Sequence, residues 1–226
     1  MLDGPPRAPR WGFGEAAGAY IGGLMVAVVA GSIAIGAGAG KTSAVTVSVT
    51  FIGQWVGFIG VPLWLSRNRG TGSLATDFGL RIRPVDLALG LGGAVALVVV
   101  VGFYGVILRQ FDHVNLSHEA DQLNQSGLVV LALFAGLGAP IAEELLFRGL
   151  AQPALQRRLG DWPGLFAAAG FFGLAHLTGN PIEAIPPLAF VGLVVGYLAW
   201  RTGRLGPGII AHMAFNGVTV IQFALK

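Results

Sequence analysis

Residues 85–108 read VDLALGLGGAVALVVVVGFYGVIL, 24 positions with one charged side chain, Asp86. A helix needs about 20 mostly apolar residues to cross roughly 30 Å of hydrocarbon, so this run is long enough to span a membrane. It lacks the strict apolar–polar alternation of an outer-membrane barrel strand, which leaves a helix as the reading. Six more apolar runs flank it, approximately Ala16 to Ala39, Ala44 to Leu65, Leu128 to Gly149, Leu165 to Leu177, Ile185 to Trp200 and Ile209 to Leu225. The chain as a whole agrees: 54% of its 226 residues are hydrophobic and only 11% charged, with a mean hydropathy of +0.71. A soluble domain carries about one-quarter charged residues. The expected fold is therefore an all-α polytopic transmembrane helix bundle of about seven spans, with an eighth, re-entrant or interfacial helix allowed for in residues 113–126. The first run is longer than a signal-peptide core and lacks a small-x-small cleavage site, so it counts as a span.

The 36 glycines point to close helix contacts in lipid. With no cysteine, the chain has no disulfide framework, thiol nucleophile, thiolate metal site or palmitoyl anchor.

Charge sets an orientation. The connector from Ser66 to Pro84 carries Arg67, Arg69, Arg81 and Arg83, whereas the next, from Arg109 to Ser126, carries Asp112, Glu119 and Asp121 against Arg109 alone. With a cytoplasmic N-terminus, Arg7, Arg10, Arg148, Arg157, Arg158, Arg201 and Arg204 join the first group, eleven of the fourteen basic residues on one side. Lys41, Arg109 and Lys226 stay on the other. Cytoplasmic loops of membrane proteins gather Lys and Arg in this way, so the N-terminus is expected inside and the C-terminus on the opposite side of what is taken as the plasma membrane. The net charge of +3 then reflects anionic lipid headgroups and not nucleic acid. Three regions follow: a polar cytoplasmic tail (1–15), N-terminal transmembrane helices and loops (16–127), and a region from 128 to 226 that carries unusual polar groups.

Those groups begin with PIAEELLFRG, residues 140–149. A charged side chain at mid-bilayer costs about 2.5 to 3.5 kcal/mol on insertion scales, so Glu143, Glu144 and Arg148 should face protein or water. Glu144 and Arg148 stand at i and i+4 in the favourable acid-first order and can pair. Glu143, turned by about 100°, has no such partner on its own helix and is left free for chemistry. Pro140 removes a backbone hydrogen bond and is expected to kink the helix beside them. The plainer alternative is a helix end whose charges snorkel among headgroups. In GFFGLAHLTG, Phe172 and His176 share the i, i+4 relation, and in GIIAHMAFNG so do His212 and Asn216; each set, alone, reads equally as helix-to-helix glue. Glu144 and His176 lie at similar depth, about 20 Å from the basic side, whereas His212 is only about 8 Å in. It joins them only if the turn from Gly203 to Gly208 dips into the protein or its helix tilts.

Taken in order, EExxxR, FxxxH and HxxxN resemble the motifs of the intramembrane protease family that includes the type II CAAX prenyl endopeptidases, the Rce1-like or CPBP/Abi proteins. The resemblance covers approximately Leu128 to Lys226 and carries Glu143, Glu144, Arg148, Phe172, His176, His212 and Asn216 into the family pattern, with the 128–226 region as its catalytic part. It implies an endopeptidase acting on a membrane-associated peptide or protein, expected to cut on the cytoplasmic side. Glu143 would activate a water that His176 helps orient, and His212 with Asn216 would stabilise the oxyanion. Glu143, Glu144, His176 and His212 are also the candidate ligands if a divalent metal such as zinc takes part, as family members are commonly labelled metalloproteases. The helical HExxH spacing is absent, and the reading leans to a metal-free mechanism. Two other functions compete. One is a catalytically silent scaffold or bacteriocin-immunity-type protein using the same cavity for a partner. The other, a proton-coupled carrier, is disfavoured by the lack of matching interrupted helices in the first half.

Overall fold

The structure, a computed structural model, describes residues 11–110, 129–130, 132–178 and 180–224. Arg7, Arg10, Asp112, Glu119, Asp121, Lys226 and the helix allowed for in 113–126 lie outside them, as does the side chain of Arg109. Among the described residues the chain folds into eight helices and no strand, the all-α bundle expected. They are α1 (Phe13–Gly36), α2 (Ala44–Arg69), a short α3 (Leu74–Asp77), α4 (Pro84–Gln110), α5 (134–159), α6 (Asp161–Ala175), α7 (Ile185–Thr202) and α8 (Gly206–Ala224). Four stretches among the described residues are long and apolar enough to cross a membrane: Phe13–Gly36, Ala44–Arg69, Pro84–Val106 and Ile182–Thr202. Helix α6, with 15 residues, is about 22 Å long and reaches only part of the way.

On α1 the large apolar side chains point outward and small ones inward, and large apolar residues of α4 likewise face out. Met25, Val95 and Phe103 are exposed, while Ala16, Ala19, Gly23, Ala27 and Gly31 form the buried stripe of α1. Lipid tails are as apolar as leucine, so close contact between helices comes from shape, and small residues give it. Gly57 of α2 shows how close: a Cβ there would stand 2.1 Å from the carbonyl oxygen of Ala19, and one on Gly53 would stand 2.9 Å from the Ala27 backbone.

Among the described residues three widened, π-type turns interrupt the helices, at Val56–Gly60, Phe134–Gly138 and Leu145–Ala151. Each is followed by a proline, Pro62, Pro140 and Pro153. A proline has no N–H for the carbonyl four residues earlier and its ring collides with it. Those carbonyls belong to Phe58, Gly136 and Gly149, each inside a widened turn. Helix α5 therefore stays continuous past Pro140, with a local widening on each side of Glu143 and Glu144.

The arginine-bearing segments meet at one end of the bundle. Arg69 pairs with Glu15 at 2.9 Å, an Arg157 Nη donates to the Trp11 carbonyl at 2.7 Å, and Trp11 stacks on Phe78. Leu205 N–H donates to the Gly79 carbonyl at 2.8 Å, which ties the α7–α8 turn to the α3–α4 connection. Asp86, fully buried at the start of α4, accepts from Arg204 Nη2 at 2.5 Å and from the backbone N–H of Arg83 at 2.8 Å. The hydrogen bond it donates to Asp86 raises the Arg204 guanidinium above its ordinary value, so it stays charged at any physiological pH. Twenty residues along α4, Tyr104 donates to the Glu183 carbonyl at 3.0 Å, which places the α6–α7 connection at the opposite end.

Candidate active site

Glu144 sits with no exposed surface between three elements. Its Oε1 is 3.3 Å from Arg148 Nη1 and 3.1 Å from His212 Nδ1, so the expected i, i+4 pair forms and a histidine from α8 joins it. Its other oxygen lies against the first turn of α8, where a Cβ on Gly208 would come within 3.0 Å of it. Glycine at this position leaves room for the carboxylate to approach this closely, and Oε2 has no hydrogen-bond partner among the described residues. Arg148 is as enclosed as its partner: Nη2 donates to the Gly192 carbonyl at 3.3 Å, and the guanidinium stands 4.3 Å from the centre of the Phe172 ring. One turn later Gln152 donates to the Gly196 carbonyl at 2.9 Å, so α5 grips two successive turns of α7.

Glu143 faces the other way, into a cavity of about 500 Å³ that His176, His212 and Asn216 also line. Its Oε2 is 3.9 Å from His176 Nε2 and 3.8 Å from His212 Nε2, and it has no hydrogen-bond partner among the described residues. Distances of this size are too long for direct hydrogen bonds and suit a bridging water. The ring nitrogens can be assigned. His176 Nδ1 lies 2.7 Å from the Phe172 carbonyl, which only accepts, so Nδ1 carries the proton and neutral His176 presents a lone pair at Nε2. His212 Nδ1 faces the Glu144 carboxylate, which also accepts, so its Nε2 likewise turns toward Glu143. Asn216 gives one N–H to the Ala135 carbonyl at 2.8 Å and keeps a second.

The seven residues of the three motifs are therefore brought together, with Glu143, Phe172, His176, His212 and Asn216 on the cavity wall and Glu144 and Arg148 behind it. Gly203 is exposed, but Leu205, Gly206, Pro207, Gly208 and Ile209 are all buried, so the second half of the turn and the start of α8 lie inside the protein. The widened turns beside Glu143 and Glu144 give α5 the irregular backbone often found at functional sites. The four candidate metal ligands fit an ion poorly as arranged, because Glu144 is engaged by Arg148 and His212. No set of three among the described residues is positioned to hold one.

The sequence reading missed the near wall. Tyr20 from α1 and Thr50 and Gln54 from α2 line the same cavity, as do Thr178 and Asn180. Gln54 and Tyr20 are polar breaks in apolar runs, a signal that was there but that generic spans also show. Thr178 and Asn180 are exposed and lie in the α6–α7 connection, at the end away from the arginines.

Residues 125–218 match the family model described as type II CAAX prenyl endopeptidase Rce1-like. No curated protein and no solved structure matches the chain.

Proposed function

From the match of residues 125–218 to the Rce1-like family model, we propose that the chain is an intramembrane endopeptidase that hydrolyses a peptide bond of a membrane-associated peptide or protein. The observation that carries the reading is the convergence of His176 Nε2 and His212 Nε2, from two helices, on one oxygen of Glu143 inside the bundle.

A water between Glu143 and His176 gives one hydrogen to the carboxylate and one to the Nε2 lone pair. Both its hydrogens are then held by acceptors, and an oxygen lone pair is left for the substrate carbonyl. Glu143 takes the proton as the oxygen attacks. Negative charge grows on the carbonyl oxygen, and the donors that meet it are the spare N–H of Asn216 and the Nε2–H of His212 when that ring is an imidazolium. Glu144 orients the His212 ring through Nδ1, as a carboxylate behind a catalytic histidine does, and Arg148 holds Glu144 in turn. One oxyanion donor of this kind is worth about 2.7 to 4 kcal/mol. Protonated Glu143 then passes its proton to the leaving amine. The mechanism uses no metal, in keeping with the engagement of Glu144 by Arg148 and His212.

The substrate enters from the end that carries Thr178 and Asn180. We place the chain in the plasma membrane with the N-terminus cytoplasmic and the C-terminus opposite, lipid as its surroundings and no nucleic-acid partner. Cleavage of a membrane reporter peptide in liposomes, by the wild type and by Glu143→Ala, His176→Ala and His212→Ala, tests the reading. Each variant is expected to lose at least a hundredfold in kcat/KM. Equal cleavage by all three overturns it.

A further inference from the structure

Helix α6 ends just before His176, and the last carbonyls of a helix have no partner within it. Here three of them, in and just past the final turn, are met by side chains. His176 Nδ1 donates to the Phe172 carbonyl at 2.7 Å, Asn180 Nδ2 to the His176 carbonyl at 3.0 Å, and the Tyr20 hydroxyl to the Ala175 carbonyl at 2.6 Å. The first two are local, four residues apart. The third crosses from α1, 155 residues away. It comes from outside the segment 125–218 that matches the family model.

We propose that Tyr20 is a positioning residue of the site: its hydroxyl ties the end of α6 to α1 and so sets where His176 Nε2 stands relative to Glu143. His176 follows directly on the carbonyl that Tyr20 holds. The loop after it, with Thr178 and Asn180 exposed, is met by the same hydroxyl, which also interacts with the Thr178 side chain, and farther on by Tyr104 at the Glu183 carbonyl. The tyrosine ring is seated independently of its hydroxyl. It packs at 5.9 Å from Phe58, 5.7 Å from Phe171 and 6.3 Å from Phe147, centre to centre, and Phe147 in turn lies edge-on to Phe172 at 5.1 Å. A phenylalanine at position 20 keeps all of this and loses only what the hydroxyl touches, the Ala175 carbonyl and the Thr178 side chain, so the role of the hydroxyl can be isolated.

The inference rests on the proteolytic reading for its kinetic consequence but not for its geometric one, and two measurements on Tyr20→Phe separate them. In reporter cleavage, kcat is expected to fall about tenfold with KM within twofold of wild type and the melting midpoint unchanged within about 2 °C, because substrate binding does not depend on the His176 setting. In the second, diethyl pyrocarbonate modification of His176 is followed by mass spectrometry in the detergent-solubilised protein without substrate. His176 in Tyr20→Phe is expected to react several-fold faster, since a ring freed from its set position beside Glu143 opens its Nε2 lone pair to the reagent, and His212 is expected to react at the wild-type rate as an internal control. Unchanged reactivity of His176 overturns the proposal, as does a matching rise at His212 or a kcat equal to wild type while Glu143→Ala and His176→Ala are inactive. If those two variants cleave normally, proteolysis fails as a function and the labelling alone decides the role of Tyr20.

Discussion

Glu143 and Glu144 are chemically identical neighbours, and the structure assigns them opposite kinds of sensitivity to the same substitution. Glu144→Gln removes a buried negative charge whose Oε1 lies 3.3 Å from Arg148 and 3.1 Å from His212. The Arg148 side chain is 2% exposed, so it becomes an uncompensated buried cation, a defect that costs about 3 to 5 kcal/mol. At roughly 2 to 4 °C per kcal/mol for a chain of this size, the melting midpoint should fall by about 10 °C. Glu143→Gln keeps shape and volume and breaks no contact shorter than 3.8 Å among the described ion pairs, so its stability should stay within about 0.5 kcal/mol of wild type. Its effect falls on the reaction: a carboxamide cannot take a proton from water, and loss of a general base costs about 10² to 10⁴ in rate. The two are compared by thermal melting in detergent, followed by intrinsic tryptophan fluorescence, and by reporter cleavage at a temperature where both variants are folded. The reasoning is refuted if Glu143→Gln is the one that melts early while Glu144→Gln keeps its midpoint.

Three further outcomes are expected. Gly57→Ala puts a methyl 2.1 Å from the Ala19 carbonyl and must push α1 off α2, a loss of about 1 to 3 kcal/mol in melting experiments, whereas Gly22→Ala, with nothing within 4 Å of its added methyl, should melt as wild type. Asp86→Asn, which weakens the tie between α4 and the α7–α8 turn, should lower the melting midpoint more than Arg69→Gln at the exposed Glu15 pair; the shift should be the same at pH 6 and pH 8 because Arg204 remains charged at both. Treatment with a zinc chelator should leave reporter cleavage unchanged, and a loss of activity restored by added zinc would point to an ion at the site.

The reading of the chain as a helical membrane protein was available from residue order because hydrophobic length is a local property: 24 consecutive positions with one charge can satisfy their backbone in lipid only as a helix. The same holds for the pairing of Glu144 with Arg148, set by the pitch of one helix. Local logic stopped at the ends of helices. A run of apolar residues does not disclose that α6 ends as a 15-residue helix, or that the start of α8 is buried, since both depend on what neighbouring helices leave room for. The meeting of His176 and His212 at one oxygen of Glu143 belongs to tertiary structure alone, as does the hydroxyl that reaches from Tyr20 to Ala175 across 155 residues. Pitch and hydropathy act over a few turns, whereas the distance between two helices is decided by the small residues on every seam between them.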